Sequence, residues 1–443
     1  MKEVDKIIYG SRILTMDENG AIIKDGGIAV EGENIVAVDK KEVIANQYIA
    51  KEVINITGES IVMPGLINGH THAAMTCFRG MADDLELMDW LNNYIFPAEA
   101  KNVNPELAHW GTLLACAEMI RSGTTTFCDM YIFEDETAKA AKQAGMRCLA
   151  GEVLFDFPSP NIKTPEEGLK YTKDMIEKWA GDPLVSIIVE PHALYTCSPP
   201  LLTKVKELAD RYDVPIGVHL LENSSEVQQL NEKLGKRATR FLEDAGYLNE
   251  RLIAFHCVCM DEEDINLFAD YGCKIVHNPE SNMKLASGIA PVPDMLEAGI
   301  PVALGTDGCA SNNNLDLFQE MDSAAKLHKA ARLDPTVMDA ETVLKMATCK
   351  GAAALGMEKR IGQLKKGMKA DIIIIDLDKP HLTPLYHEYS HLVYAARGAD
   401  VDTALINGKI VMQNRKLLTI NEDEIMAKVE EIAIKIRKSF EKH

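Results

Sequence analysis

Eight apolar runs of strand length, alternating with amphipathic stretches of helix length, constrain this chain more than any other feature of its sequence. They read IVMPGLINGHTH, TTTFCDM, RCLAGEVLF, VSIIVEPH, PIGVHLLE, LIAFHCV, KIVHNP and PVALGTD. Each is apolar throughout, as a strand covered on both faces should be. The stretch NPELAHWGTLLACAEMIRSG carries helix punctuation at both ends, with Asn104 as cap, Pro105 at the first helical position and Gly123 as the stop. Strands alternating with helices predict βα units around a parallel sheet. Eight strands, with seven helical segments between them and one after the last, predict an α/β fold, a TIM-like (β/α)8 barrel over residues 65–364.

The two ends of the chain read differently. Residues 1–64 hold short alternating or β-branched runs (KIIYGSRILTM, GGIAVEGENIVAVDK, EVINITGESIVM), and the pattern returns after residue 365 in ADIIIIDL and TALINGKIVMQ. Asn407-Gly408 in the last of these is a strong hairpin turn signal. Because both ends flank one barrel, residues 1–64 and 365–443 are expected to form one small composite β-sandwich. The stretches NLDLFQEMDSAAKLHKA and DAETVLKMATCKGAAALG supply helices after the eighth strand, and NEDEIMAKVEEIAIKIRKSFEKH reads as a terminal surface helix.

Composition excludes several functions. The 443 residues are 47% hydrophobic, enough for a large core, and the formal net charge is -20 with Lys and Arg scattered rather than massed. A phosphate-backbone binder needs a basic stripe, so nucleic acid is not expected as a partner. The amino terminus is broken by charge every few residues and no run reaches spanning length, so a soluble cytoplasmic protein without membrane attachment is expected. Ten cysteines occur without a CxxC pair and read as reduced, buried thiols. Assembly into a homo-oligomer is left open by the sequence.

A barrel of this kind places its chemistry at the carboxyl ends of the strands. Strand one ends in His70 and His72, which project to one side of an extended chain. Strand four ends in His192, strand five in His219 with Glu222 three residues on, strand six in His256, strand seven in His277 and strand eight in Asp307. A lone histidine is an ordinary hydrogen-bonded residue more often than a ligand, but here several converge. His70, His72, His219 and Asp307 supply three imidazoles and a carboxylate, a set suited to Zn²⁺ and acceptable to Fe²⁺. Strand four ends in Pro191-His192 rather than in a lysine that could bridge two ions, so one divalent metal ion is expected. His256 and His277 could each orient a water or bond a carbonyl, and the catalytic role is expected of His256. Glu222 fits either the head of the next helix or the substrate pocket, and the pocket is preferred. Trp90 and Glu99 lie in the long segment after strand one.

The motifs PGLINGHTH, PHALYTCSPP, VHLLE, HCV, HNPESNMKLASGIAPV and LGTDGCASNN together resemble the amidohydrolase superfamily. Within it they are similar to the deaminases related to atrazine chlorohydrolase, above all the 5-methylthioadenosine/S-adenosylhomocysteine deaminases. The resemblance covers nearly the whole chain. It implies that His70, His72, His219 and Asp307 bind the metal, that Glu99 and His192 hold ribose hydroxyls, that Glu222 lies beside the purine, and that Ser311 and Trp90 line the pocket. It further implies hydrolytic removal of the amino group at carbon six of adenine. A mechanism consistent with these residues is expected to have Asp307 taking a proton from water, His256 steadying the hydroxide and Glu222 protonating the ring.

One stretch departs from that family. Members that accept S-adenosylhomocysteine carry arginines near strand three, whereas GEVLFDFPSPNIKTPEE holds none, with Glu152 in their place and Lys163 as the nearest cation. Methylthioadenosine, adenosine and 5'-deoxyadenosine are therefore the expected substrates ahead of S-adenosylhomocysteine. The alternatives are deamination or dechlorination of another heterocycle, such as guanine, cytosine or a triazine, and an inactive scaffold on the same fold.

Overall fold

The computed structural model describes residues 1–55, 58–85 and 89–440. Ile56 and Thr57, in the third amino-terminal run, and the last three residues of the expected terminal helix lie outside them.

The eight expected barrel strands form in order: Leu66–Thr71, Thr124–Tyr131, Arg147–Leu154, Val185–Ile187 continued by Glu190–Pro191, Ile216–Leu220, Leu252–His256, Lys274–His277 and Val302–Leu304. All ladders between them are parallel. Two seams close the ring. Between strands four and five, the amides of Gly217 and His219 donate to the carbonyls of Val189 and His192, each at 3.0 Å. Between strands eight and one, the Asp307 amide donates to the His70 carbonyl at 3.0 Å and the Thr306 amide to Asn68 Oδ1 at 3.0 Å. The helix Pro105–Arg121 begins and ends as its punctuation predicts, with Asn104 accepting from the Leu107 amide and Gly123 at φ +86°.

The first apolar run divides into two strands. Ser60–Pro64 pairs with Ile372–Asp376 in the β-rich part, and the chain turns at Gly65 into barrel strand one. Only glycine fits there, since a Cβ would lie 2.1 Å from the Thr125 side chain. The pairing of residues 60–64 with 372–376 joins both ends of the chain into one nine-stranded sheet. Ile8, Ile28 and Val30 from one end share a buried cluster with Ile372, Ile374 and Leu405 from the other. The Asn407-Gly408 turn has both residues at positive φ, as the hairpin signal requires.

The stretch after strand eight gives two helices where one was expected, Ala340–Met346 and Cys349–Ala354, because the chain turns at Ala347 and Thr348. The terminal helix Glu422–Phe440 buries Ile425, Val429, Ile432 and Ile436 along one stripe and packs on helix Pro105–Arg121. No helix of the described residues is long and apolar enough to cross a membrane.

Candidate metal centre and active-site cleft

Five side chains from four barrel strands meet at the carboxyl-terminal mouth. His70 is fully buried near the end of strand one, its ring stacked on Phe255 with centroids 4.0 Å apart. Its centroid is 4.8 Å from that of His72 and 4.9 Å from that of His219. One ligand atom from each of His70, His72 and His219 lies within 4.8 Å of the others, and the same holds for His70, His256 and Asp307.

The outer nitrogens of three of these rings are already engaged, which fixes the inner ones. His72 Nδ1 donates to the Met130 carbonyl, His219 Nδ1 donates to the His192 carbonyl at 2.8 Å, and His256 Nδ1 donates to Asn282 Oδ1 at 2.8 Å. A neutral ring that donates from Nδ1 carries a lone pair on Nε2, the form that a metal ligand needs. His70 has both nitrogens buried without a hydrogen-bond partner among the described residues. A buried, unpartnered imidazole is costly unless a cation takes its lone pair, so this donor set fits a divalent metal ion.

Asp307 completes the centre. Its backbone is left-handed at φ +59°, and Ser281 and Ser311 each donate from Oγ to Oδ2 at 2.7 Å. Those serines leave Oδ1 facing the histidines, 3.1 Å from His72 Nε2 and 3.4 Å from His70 Nε2. Burial would raise the Asp307 carboxyl, but His70 and His72 outweigh it and hold the group well below the ordinary carboxylate range. The partner rings move apart: burial pushes His70 down to about 3, whereas for His72 the Asp307 carboxylate overcomes burial and raises the ring to about 9.

Beside this centre opens a cleft. Its walls include Trp90, Phe96, Tyr131, Phe155 and Tyr195, and its polar side chains include Glu99, His192, Glu222 and His256. Burial raises the Glu222 carboxyl above its ordinary value and pushes Glu99 up to about 7, so both hold protons more tightly than exposed glutamates. His192, one residue beyond strand four, is driven down to about 3 by burial and the neighbouring imidazoles, and its Nδ1 lies 3.0 Å from Thr196 Oγ1. The described lining residues include no lysine or arginine. Glu152 does not face the cleft; it is fully buried and accepts from the Glu134 amide at 2.9 Å and from Asn161 at 2.8 Å. Lys163 is exposed on the surface.

Two residues singled out in the sequence have partners that the sequence did not predict. Ser311, expected at the pocket wall, donates its hydroxyl to Asp307 Oδ2 from the turn after strand eight. His277 is in neither the converging ligand set nor the cleft lining, and its Nε2 lies 3.1 Å from Nε2 of His328 on the helix Leu317–Arg332. Residues that the sequence reading passed over include Tyr131 and Phe155, at or just past the ends of strands two and three, and Asn282, which orients His256. A search of strand ends for aromatic as well as ligating side chains would have found the first two. Asn282 gives no such signal, because its partner is 26 residues away.

A histidine-rich cluster at the mouth of a closed parallel barrel defines the class, a barrel hydrolase that uses a divalent metal ion. The chain belongs to the amidohydrolase family, whose model matches residues 61–411. It is 63% identical over 440 residues, 99% of each chain, to the 5-methylthioadenosine/S-adenosylhomocysteine deaminase 1 of Syntrophus aciditrophicus. It is 46% identical over 431 residues, 97% of this chain and 98% of the other, to the 5'-deoxyadenosine deaminase of Methanosarcina mazei. Among solved structures, an adenosine deaminase from Xanthomonas campestris with bound zinc matches with a TM-score of 0.97 at 38% identity, over 99% of each chain.

Proposed function

We propose that this protein is a zinc-dependent deaminase of adenine nucleosides that favours uncharged groups on the 5' carbon, such as methylthioadenosine, 5'-deoxyadenosine and adenosine. The observation that carries the reading is the convergence of His70, His72, His219 and Asp307 beside a cleft that also contains Glu222. Relatives named for methylthioadenosine, S-adenosylhomocysteine and 5'-deoxyadenosine support the substrate class. The aromatic walls suit a purine face, and a lining whose described residues offer carboxyl groups and no lysine or arginine opposes a substrate that carries its own carboxylate.

His70, His72, His219 and Asp307 would hold one zinc ion. When bound, such an ion lowers the pKa of water from 15.7 to about 7 and so supplies a strong nucleophile at neutral pH. The chain's own residues do the rest. Asp307 accepts a proton from the attacking water on Oδ1, the oxygen that Ser281 and Ser311 leave free. His256, fixed through Nδ1 by Asn282, steadies the nucleophile from its Nε2 side. Glu222, whose carboxyl burial raises above its ordinary value, donates a proton to N1 of the purine as the carbon–oxygen bond forms at carbon six. Asp307 then passes its proton to the amino group, the carbon–nitrogen bond breaks and ammonia leaves. The hydroxyl proton on carbon six returns to Glu222, which ends as it began, and the product is the inosine-type lactam. Glu99 and His192 hold the ribose hydroxyls, and Trp90 packs against the bound nucleoside.

The test is ammonia release by the zinc-loaded protein from adenosine, methylthioadenosine, 5'-deoxyadenosine, S-adenosylhomocysteine, guanine and cytosine. The three uncharged nucleosides should lead. Turnover of a free base with none of the adenine nucleosides would overturn the proposal.

A further inference from the structure

The turn between His219 and the helix Ser224–Leu234 is held by a carboxyl group that is itself in neither the histidine cluster nor the cleft lining. Glu226 lies in the first turn of that helix and is 3% exposed. Its Oε1 accepts from the Leu221 amide at 3.1 Å and its Oε2 from the Glu222 amide at 2.7 Å. Its own amide donates to Asn223 Oδ1 at 2.8 Å, so Glu226 and the cap residue brace the same turn from both sides.

What is braced is an unfavourable backbone. Leu221 is left-handed at φ +53°, a conformation that is unfavourable for a residue with a Cβ and persists only where the surroundings impose it. On the other side of the peptide, the Leu221 carbonyl accepts from the Cys259 amide at 2.9 Å, which ties the turn to the loop after strand six. The reversal at Leu221 sends the next side chain, Glu222, into the cleft. Two successive amides directed at two oxygens of one side chain need an acceptor at both positions. A carboxyl group offers that, whereas an amide group turns a donor toward one of them.

We infer that Glu226 is a positioning residue: it fixes the Leu221–Glu222 peptides so that the Glu222 carboxyl is aimed at the substrate ring. The inference rests on the reading of Glu222 as the proton donor. It needs no contact between Glu226 and substrate or metal, and it separates the aim of the acid from the integrity of the metal centre.

The experiment compares the zinc-loaded full chain with Glu226→Gln and Glu226→Asp. In Glu226→Gln, kcat for adenosine should fall 10- to 100-fold, with KM within about threefold and zinc content unchanged, since a misplacement of about 1 Å is worth that much in rate. The limb of the kcat–pH profile that reports the acid should move with it. Glu226→Asp keeps both oxygens on a shorter arm and should recover part of the rate. Amide hydrogen exchange gives a readout independent of turnover: in the wild type the Leu221 and Glu222 amides should exchange as slowly as strand five, and in Glu226→Gln they should exchange faster. A folded Glu226→Gln protein with wild-type kcat, a rate loss that merely tracks zinc loss, or fast exchange of both amides in the wild type would each overturn the inference. A wild-type protein inactive on every adenine nucleoside would instead remove the proposed function, while the exchange measurement would still decide whether Glu226 holds the turn.

Discussion

The main-chain amide of Asp307 donates to the main-chain carbonyl of His70 at 3.0 Å, so the bond that closes the barrel between strands eight and one also joins two members of the candidate metal centre. Filling that centre should therefore stabilise the closed barrel as well as equip it for chemistry. With zinc at a hundredfold excess over its dissociation constant, the stabilisation should be about 2.7 kcal/mol. Calorimetric scans with and without chelator check this, and an unchanged melting temperature would show that the native state does not bind the metal.

Replacing Glu222 by Gln removes the proton and keeps the shape. Since Glu222 is not in the set of atoms that converge on His70, zinc content should stay at the wild-type level. Turnover of adenosine should fall by about 10²–10⁴, the usual worth of a positioned acid. Metal analysis and steady-state kinetics on the same preparation separate the two effects; simultaneous loss of zinc would contradict the assignment.

Glu99 should leave a signature in the pH dependence of stability. Its folded pKa is raised to about 7 from an ordinary 4.5, because burial disfavours the charge. A carboxyl with a raised folded pKa contributes stability that is fully present below 4.5 and lost as pH rises through 7. The shift corresponds to about 3 kcal/mol. Glu99→Gln cannot lose a proton, so metal-free variant and wild type should match near pH 4.5, and the variant should become the more stable by up to about 3 kcal/mol above pH 7. Denaturant unfolding at a series of pH values measures it; parallel curves would show that Glu99 is not buried as described.

Arg147 and Asp371 join the barrel to the β-rich part. Both are almost completely buried, with Nε to Oδ2 at 2.9 Å and Nη2 to Oδ1 at 3.2 Å. Asp371 also accepts from the Asn407 amide, and Arg147 donates to the Pro183 carbonyl at 2.7 Å. Asp371→Ala leaves a buried guanidinium uncompensated and should cost about 3–5 kcal/mol. Substrate KM in the surviving folded fraction should be unchanged, because the pair lies outside the cleft lining.

Much of the architecture was legible because strand and helix periods are local. The runs from TTTFCDM to PVALGTD, the cap at Asn104 and the turn at Asn407-Gly408 all formed where their residues called for them. The split of IVMPGLINGHTH at Gly65 was not visible, because the reason for it is the Thr125 side chain, which a distant strand brings against that backbone. Asn282 illustrates the same limit: nothing near it in the chain marks it, and the fold alone brings its Oδ1 to His256.

The sequence by itself determined that imidazoles and carboxylates would stand at the ends of successive parallel strands, since alternation along an extended chain and the βα repeat are properties of neighbouring residues. Only the tertiary structure decided which nitrogen of each ring faces the centre, which oxygen of Asp307 is free and how Glu222 is aimed. Those choices are made by hydrogen-bond partners such as Met130, Asn282, Ser281 and Glu226. Apart from Glu226, these partners lie too far along the chain from the groups they orient for any local pattern to record them.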